Sequence, residues 1–413
     1  MERVSGDLLA EWTAEARERW HVPGIAVGLL QDGDAVFAAD GVLELGRSEP
    51  VSPGTHFRIA SVTKPFVCTL AMTLVQDGLL SLDEPPPGAR TEATVRQLLS
   101  HQGGLAIEWP GDVDDAVDDA ALLRLAEREP ELLPVGPGEL FSYCNTGYWF
   151  VGAAIARLTG GTFEEAMGQR VLEPLGLRAT SFEAGPAATG HDQVAPGADE
   201  HRISEAPYPR VRRPSGGLWS TVGDLLRFGA HHLGGPGPLT ADSIAEMQRQ
   251  LISVPGGAYG LGWFLFRGAV EHPGSAAGFQ SLLLLVPDER VAFAALANSS
   301  RGQAAIRDVR ERLGLGRASP VEAVLAEALL ERLVGRYEGQ GQRITVARDG
   351  AGLRLEVAEV DPFTGTELVF PPMWAKAVAE REFEITTGEW RGERLDFPGD
   401  GFIRAMTLAS RVE

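Results

Sequence analysis

A serine and a lysine stand three residues apart where an apolar helix pattern begins. Ser61 and Lys64 precede a run that contains Phe66 and Leu70, so both side chains should lie on one helix face, one turn apart. A helix dipole would stabilise negative charge on the serine Oγ. The serine still needs a base, and a lysine can serve only where its surroundings lower its pKa. The pair predicts covalent catalysis, while a solvated lysine on a helix surface is the alternative.

Lysine usage favours the chemical interpretation of this pair. Of the 37 basic residues, only Lys64 and Lys376 are lysines. Arginine does not give up its proton in a protein, whereas lysine can. We therefore expect Lys64 to act on the proton of Ser61. Chance survival in an arginine-biased composition is the alternative, and the pattern assigns no role to Lys376.

Two polar groups near the middle of the chain could complete such a site. Tyr143 and Asn145 lie in a polar break directly before an apolar helix pattern. A phenol can relay a proton, and an amide can orient a substrate carbonyl or the lysine. A packed tyrosine and a helix-capping asparagine are the alternatives.

A third candidate segment starts at a histidine. His272 is followed by Gly274, Ser275 and Gly278 in a strand-like stretch, where glycine allows the backbone to approach a ligand closely. The N–H groups of Ser61 and Ser275 could together form an oxyanion hole. A histidine in an ordinary turn is the alternative.

The hydrophobic pattern predicts the elements that would position these residues. An apolar segment at 61–77, stopped by Gly78, predicts a buried helix. Residues 80 to about 215 predict further helices, one of them at 148–158, with a long Pro/Gly-rich loop at 185–214. Apolar runs bounded by turn residues predict a hairpin at 25–30 and 35–39, strands at 259–266, 278–286 and 291–297, and then a helix at 302–313.

This order of elements predicts two domains. Residues 1–315 would form an α/β domain, an antiparallel sheet with flanking helices and a helical insertion at about 80–215. A linker and a helix at 316–330, with the helix pattern running over 321–333, would lead to 331–413. There, short alternating runs separated by turns such as Asp349-Gly350 predict a small all-β barrel.

Charge and composition exclude several classes of function. The net charge is −20, with 37 basic and 57 acidic residues, which disfavours nucleic-acid and membrane binding. The apolar stretches are strand-sized, and no signal-peptide pattern precedes the first amphipathic segment. With only two cysteines, Cys68 and Cys144, a reduced cytoplasmic setting is the simpler expectation.

Taken together, the three segments resemble a known family. Ser61-x-x-Lys64, Tyr143-x-Asn145 and His272-x-Gly274, in this order, resemble the serine β-lactamase and penicillin-binding protein family. The class C-like branch, with its esterases, D-amino-acid peptidases and amidases, looks closest. The C-terminal region is similar to the lipocalin-like barrel that some relatives append. Supporting stretches lie at 98–105, 137–148, 173–177, 216–224 and 259–263.

The resemblance implies an acyl-enzyme mechanism without a metal or other cofactor. Ser61 would attack an ester or amide carbonyl while Lys64 and Tyr143 accept its proton, and Tyr143 would then protonate the leaving group. Asn145 would orient the substrate. His272 takes the position where β-lactamases carry a lysine, and Pro273 follows it with neither a hydroxyl nor an N–H. Binding of an antibiotic carboxylate should therefore be weak.

The predicted function is hydrolysis of a small ester or amide, with an esterase ahead of a D-amino-acid-type peptidase or amidase. Acyl transfer, β-lactamase activity and a non-catalytic binding protein of the same fold are the further alternatives. The exact substrate and the oligomeric state stay open. Arginines at 210, 212 and 213 would favour anionic substrates if they bordered the cleft, and their pairing with nearby acids is the alternative.

Overall fold

The computed structural model describes residues 3–106, 120–195, 198–204, 208–316, 322–339, 341–360, 367–387, 390–399, 401–404 and 407–412. The loop at 106–119, which with the loop at 185–215 is expected to set the width of a substrate cleft, therefore lies almost wholly outside the described residues. Helix α1 (Gly6–Arg19) is capped by the Ser5 side chain, which accepts from the Leu8 N–H. Strands β1 (Gly24–Gln31) and β2 (Asp34–Gly41) follow as the expected hairpin.

A helical region with four short strands follows the hairpin. Strand β3 pairs with β6 and β4 with β5, and the last two lie within the stretch that the pattern predicts to be a loop. The elements are β3 (Phe57–Arg58), α2 (Thr63–Gln76), α3 (Val95–Leu99), α4 (Ala121–Ala126), α5 (Thr146–Thr159), α6 (Phe163–Met167), β4 (His191–Gln193), β5 (His201–Ile203), α7 (Arg213–Gly216), β6 (Trp219–Ser220), α8 (Val222–His232) and α9 (Ala241–Met247).

The rest of the main sheet forms after α9. Its strands are β7 (Ile252–Val254), β8 (Gly257–Tyr259), β9 (Phe264–Phe266), β10 (Ala269–Ala276), β11 (Phe279–Val286) and β12 (Val291–Ala297), and helix α10 (Gly302–Arg312) follows. The antiparallel order is β2-β1-β12-β11-β10-β9-β8-β7. The fold class predicted from the sequence is thereby confirmed.

Alternate residues of the sheet enter two separate cores, as the period of a strand requires. In β12, Phe293 packs with Leu9 of α1 and Val309 of α10. Its neighbour Ala294 packs in the other core, with Leu225 of α8. Because helices cover both faces of the sheet, the sequences of the central strands are continuously apolar and do not alternate between apolar and polar residues.

One predicted strand, at 259–266, is divided in the structure. Strand β8 ends at Tyr259 and β9 begins at Phe264. Gly262, between them, has φ +75°, and a Cβ there would lie 2.7 Å from Cys68 Sγ. The chain therefore turns here against α2, which an apolar run alone does not indicate.

A closed barrel of eight strands forms the C-terminal region. Strands β14 and β15 pair and close the ring, and β16 adds to β15. Helix α11 starts at 327 rather than 321: residues 322–326 are not helical, Ala326 has an extended backbone, and the Ala323 N–H donates to the Ala377 carbonyl at 2.9 Å. The elements are α11 (Glu327–Leu333), β13 (Gly335–Gly339), β14 (Gln342–Asp349), β15 (Gly352–Val360), β16 (Glu367–Val369), β17 (Met373–Ala379), β18 (Glu382–Ile385), β19 (Arg394–Gly399), β20 (Phe402–Arg404) and β21 (Leu408–Arg411).

Candidate active site

Ser61 lies at the entrance to the buried helix α2. A 3₁₀ turn over Ala60–Val62 leads into the helix, and Ser61 is half-buried whereas every residue from Val62 to Leu74 is buried. Ala60 has φ +46°, a left-handed conformation that is unusual for a residue with a side chain and occurs often at functional sites. The turn thus brings the Ser61 hydroxyl to the surface of a densely packed core.

Lys64 is fully buried beside it. Its Nζ lies 3.1 Å from Ser61 Oγ, 2.8 Å from Asn145 Oδ1 and 2.8 Å from the Ser215 backbone oxygen. The sequence predicts the first contact from helical spacing. The other two come from residues 81 and 151 positions away in the chain.

These partners suit both protonation states of the lysine. The Asn145 amide oxygen and the Ser215 carbonyl only accept hydrogen bonds. They can take both hydrogens of a neutral amine, which leaves its lone pair for the Ser61 O–H. In the ammonium form, Ser61 Oγ accepts the third hydrogen instead. The arrangement therefore allows a proton to pass between Ser61 and Lys64 with no movement of heavy atoms.

Asn145 stands at the start of α5 and does not cap it. Its backbone occupies the N-cap position, yet its side chain makes no capping hydrogen bond and instead accepts from Lys64. The alternative of a helix-capping asparagine is therefore wrong. The helix begins without that help because its first turns are buried in the core.

Tyr143 lies over the same amine. Lys64 Nζ is 4.6 Å from the centre of the phenol ring, and the His101 ring packs against Tyr143 with its centre 4.2 Å away and its plane tilted by 31°. His101 also holds the segment on both sides, since its backbone oxygen accepts from the Ser142 N–H and its Nδ1 from the Cys144 N–H. Burial, with Lys64 nearby, lowers the pKa of His101 well below its usual value, so a neutral ring supports the phenol.

Strand β10 runs along the backbone of the nucleophile. A Cβ at Gly274 would lie 3.1 Å from the Ser61 nitrogen and would collide with the Ile59 carbonyl and Ser281 Oγ. Only glycine fits such an approach. The next residue, Ser275, is exposed, as a backbone donor facing a substrate would need to be. The structure thus brings Gly274 against Ser61 and places Ser275 beside it on the surface.

His272 lies beneath the protein surface rather than on it. The ring is fully buried, and its Nδ1 is 2.6 Å from the Pro273 carbonyl, so that nitrogen carries the hydrogen. Nε2 then accepts from the Tyr259 hydroxyl at 3.1 Å. Burial first, and then Lys64, lower the pKa of His272 to about 3. Both nitrogens are occupied and the ring is neutral, so it presents no charge to a substrate.

Sequence reasoning assigned no role to Ser215 or His101. Ser215 gives its carbonyl to Lys64, and its hydroxyl accepts from Trp149 Nε1 at 2.9 Å and donates to the Arg212 carbonyl at 3.0 Å. A backbone carbonyl has no sequence signature. His101 lies in one of the stretches that carry the family resemblance, at 98–105, and this resemblance is the sequence signal that points to His101.

Within the described ranges, no group of three or more His, Cys, Asp or Glu side chains is arranged to hold a metal ion. The same residues include no helix with the length and hydrophobicity needed to cross a bilayer.

Comparisons with known proteins reveal related chains. The chain is 31% identical to penicillin-binding protein 4 of Amycolatopsis lactamdurans over 79% of this chain and 95% of that protein. It is 24% identical to the D-alanyl-D-alanine-carboxypeptidase/endopeptidase AmpH of Escherichia coli strain K12, over 65% of this chain and 77% of that one.

Solved structures share the fold over nearly the whole length. SurE with D-Leu superposes with a TM-score of 0.74 at 24% identity, covering 98% of this chain and 99% of that one. The octameric penicillin-binding protein homologue from Pyrococcus abyssi gives 0.67 at 24% identity, covering 98% and 100%. At such identities the likeness concerns the fold. Residues 9–316 match the family described as Beta-lactamase, and the chain therefore belongs to that family.

Proposed function

We propose that this protein is a serine hydrolase that cleaves a small ester or amide through an acyl-enzyme on Ser61. The observation that carries the proposal is the set of partners around Lys64: in the neutral amine, Asn145 Oδ1 and the Ser215 carbonyl would accept its two hydrogens, and its lone pair would face the Ser61 hydroxyl. A lysine held only for packing would not need two acceptor-only partners and a hydroxyl at hydrogen-bond distance.

In the acylation step, Oγ of Ser61 bonds to the substrate carbonyl carbon while its proton passes to Lys64. The N–H groups of Ser61 and Ser275 would stabilise the oxyanion. The bond to the leaving group then breaks, and the leaving oxygen or nitrogen takes a proton through Tyr143. Water, deprotonated by Tyr143 and Lys64, attacks the acyl carbon and releases the acid and the free serine.

An ester with an uncharged leaving group is the favoured substrate. The family places a lysine where this chain has His272, and here that ring is neutral and hydrogen-bonded on both nitrogens. A neutral ring at this position offers no cation to the carboxylate of a leaving D-amino acid or of a β-lactam. A D-amino-acid-type peptidase is the second candidate, supported by the relative named as a D-alanyl-D-alanine-carboxypeptidase/endopeptidase.

A fluorophosphonate probe and a substrate panel test the proposal. Mass spectrometry should place the adduct on Ser61 in the wild type and find none in Ser61→Ala. Short-chain p-nitrophenyl esters should be hydrolysed faster than D-amino-acid p-nitroanilides. Absence of an adduct on Ser61 would refute the hydrolase and favour a binding protein of this fold. Faster cleavage of the anilides would favour the D-amino-acid-type peptidase over the esterase.

A further inference from the structure

Two of the three arginines that the sequence points to are paired with acidic side chains. Arg210 and Arg213 both donate to Glu164, at 2.9 and 2.8 Å, and Arg213 also reaches Glu183 at 2.6 Å. These two arginines therefore agree with the alternative interpretation, in which they pair with nearby acidic side chains rather than bind an anionic substrate. Another arginine, Arg58, stands closer to the nucleophile in the chain and has different surroundings.

Arg58 occupies a surface position beside the buried approach to Ser61. Its neighbours Phe57 and Ile59 are both fully buried, whereas Arg58 is only partly buried. From Thr55 to Leu74, the residues that are not buried are His56, Arg58 and Ser61. Three residues of chain span at most about 11 Å, which limits the separation of the two Cα atoms.

Two aromatic rings hold the Arg58 guanidinium in place. Its central carbon lies 4.6 Å from the centre of the Trp219 ring and 5.5 Å from that of Tyr208. Ring faces attract the cation but leave its in-plane N–H donors available to an anion. Across the described ranges, no acidic side chain forms an ion pair with Arg58. Burial accordingly lowers the pKa of Arg58 below its usual value.

Tyr208 connects this arginine to the reacting groups. A Cβ built on Gly216 would collide with the Tyr208 hydroxyl and would lie 3.4 Å from the Ala60 carbonyl carbon, so the phenol stands beside the residue that precedes Ser61. The same hydroxyl is 3.4 Å from Oγ of Ser215, whose carbonyl binds Lys64.

Arg58 and Tyr143 belong to different groups of side chains. Tyr143 packs in a cluster with Phe141, Val254, Tyr259 and Phe264, whereas Arg58 stacks on Tyr208 and Trp219. If Tyr143 protonates the leaving group, the leaving group lies on that side. The part of the substrate that stays on Ser61 must then extend away from the Tyr143 cluster, and Arg58 lies outside that cluster.

We propose that Arg58 binds a carboxylate on the acyl part of the substrate, so that the enzyme selects acyl groups that end in a negative charge. The proposal rests on the hydrolase function of Ser61. A guanidinium can bind a carboxylate through two parallel hydrogen bonds, and the two rings hold the Arg58 fork before the substrate arrives. The selected class would be half-esters or half-amides of short dicarboxylic acids.

Two esters of equal chain length test the selectivity. Mono-p-nitrophenyl adipate carries a terminal carboxylate where p-nitrophenyl hexanoate ends in a methyl group. Arg58→Gln should lower kcat/KM for the adipate ester about 10- to 100-fold, the range for hydrogen bonds to charged groups, and for the hexanoate ester less than about twofold. Arg58→Lys keeps the positive charge but loses the two parallel N–H donors. Its kcat/KM for the adipate ester should lie between those of the wild type and Arg58→Gln.

Arg213→Gln is the matched control, because it removes one positive charge from the same region but from a paired residue. It should leave the ratio of the two kcat/KM values unchanged. An equal loss on both esters in Arg58→Gln would assign Arg58 to packing alone and overturn the proposal. A loss of selectivity in Arg213→Gln equal to that in Arg58→Gln would overturn it as well, since general charge would then explain the preference.

A second measurement separates this proposal from the hydrolase function. Monomethyl adipate should protect Ser61 from the fluorophosphonate at concentrations at least about tenfold lower than methyl hexanoate, and Arg58→Gln should lose the difference. A wild type whose Ser61 is never labelled would refute the hydrolase itself. Labelled Ser61 with equal protection by both esters would overturn only the role of Arg58.

Discussion

The two lysines of this chain lie in two regions that give the lysine side chain different surroundings. Lys64, in α2, is fully buried among a hydroxyl and two uncharged oxygens. Lys376, in β17 of the barrel, is a third exposed, and its nearest carboxylate oxygen, on Glu384, is 3.8 Å away. Neutral acceptors suit an amine that exchanges a proton, whereas a carboxylate suits a permanent cation.

The surroundings of the two lysines differ in the same way. Around Lys64 the core contains hydrogen-bonded polar rings, including His101 and His272. The barrel core is hydrocarbon and aromatic, with the Phe397 ring 5.8 Å from Tyr337 and 5.7 Å from Phe383. The two regions meet where the Leu408 N–H donates to Ser142 Oγ at 3.3 Å. Polar groups are thus buried where chemistry is expected and largely kept out of the barrel core.

The largest effect should come from exchanging each lysine for arginine. Lys64→Arg should lower kcat about 10³-fold, because arginine cannot accept the Ser61 proton and general-base catalysis contributes about this much. Lys376→Arg, which keeps the ion pair at the surface, should leave kcat unchanged. Steady-state kinetics on a p-nitrophenyl ester, with circular dichroism to check folding, measures both. More than a tenth of the activity in Lys64→Arg would contradict the assigned base.

Two buried tyrosines provide the next comparison. Tyr259→Phe removes the donor to His272 Nε2, and Tyr337→Phe removes the donor to the Leu333 carbonyl, 2.8 Å away in the barrel. Each should lower the free energy of unfolding by about 1–3 kcal/mol, since a buried acceptor loses its partner. Urea unfolding measures this loss.

Only Tyr259→Phe should also lower kcat, by about tenfold, because the ring it orients packs near Tyr143 and Lys64. Equal kcat values in the two variants would show that the Tyr259–His272 pair serves stability alone.

The dependence of stability on pH should follow the histidines, all eight of which lie before residue 316. Burial lowers the pKa of His232 to about 3. Between about pH 6.5 and 3 the unfolded chain therefore binds a proton at this position that the folded chain does not, and stability decreases as the pH falls through this window. Above pH 6.5 both states are neutral and the contribution is constant.

The variant His232→Gln should therefore reduce the slope of the unfolding free energy against pH by about 1.4 kcal/mol per pH unit between pH 6 and 4. Urea unfolding at several pH values measures the slope, and His21→Gln, at a position where the side chain is exposed, is the control. An unchanged slope in His232→Gln would mean that this ring is protonated in the folded protein.

The smallest effect belongs to the barrel lysine. Lys376→Gln should change the free energy of unfolding by less than about 1 kcal/mol, since a partly exposed ion pair at this distance contributes little. Its kcat should equal that of the wild type. A larger loss would mean that Lys376 contributes more to the stability of the barrel than its ion pair with Glu384 indicates.

The fold was predictable where local patterns dominate. The Asp32-Gly33 turn, with φ values of 51° and 86°, fixes the hairpin, and the apolar runs give β11, β12 and α10 nearly to the residue. The prediction failed where packing overrides pattern. Gly262 turns the chain against Cys68, and the Ala323 N–H donates to the Ala377 carbonyl of β17 where the pattern predicts the first turn of a helix.

The sequence by itself determined which groups could react. A serine and a lysine three apart on a helix meet through local geometry, and the scarcity of lysine marks the pair. Only the tertiary structure decided what surrounds these and the other candidate groups: the Ser215 carbonyl at Lys64, the burial of His272, and the two aromatic rings at Arg58. The reason is physical, since these contacts depend on carbonyl direction and burial across distant segments, which no local pattern of residue types records.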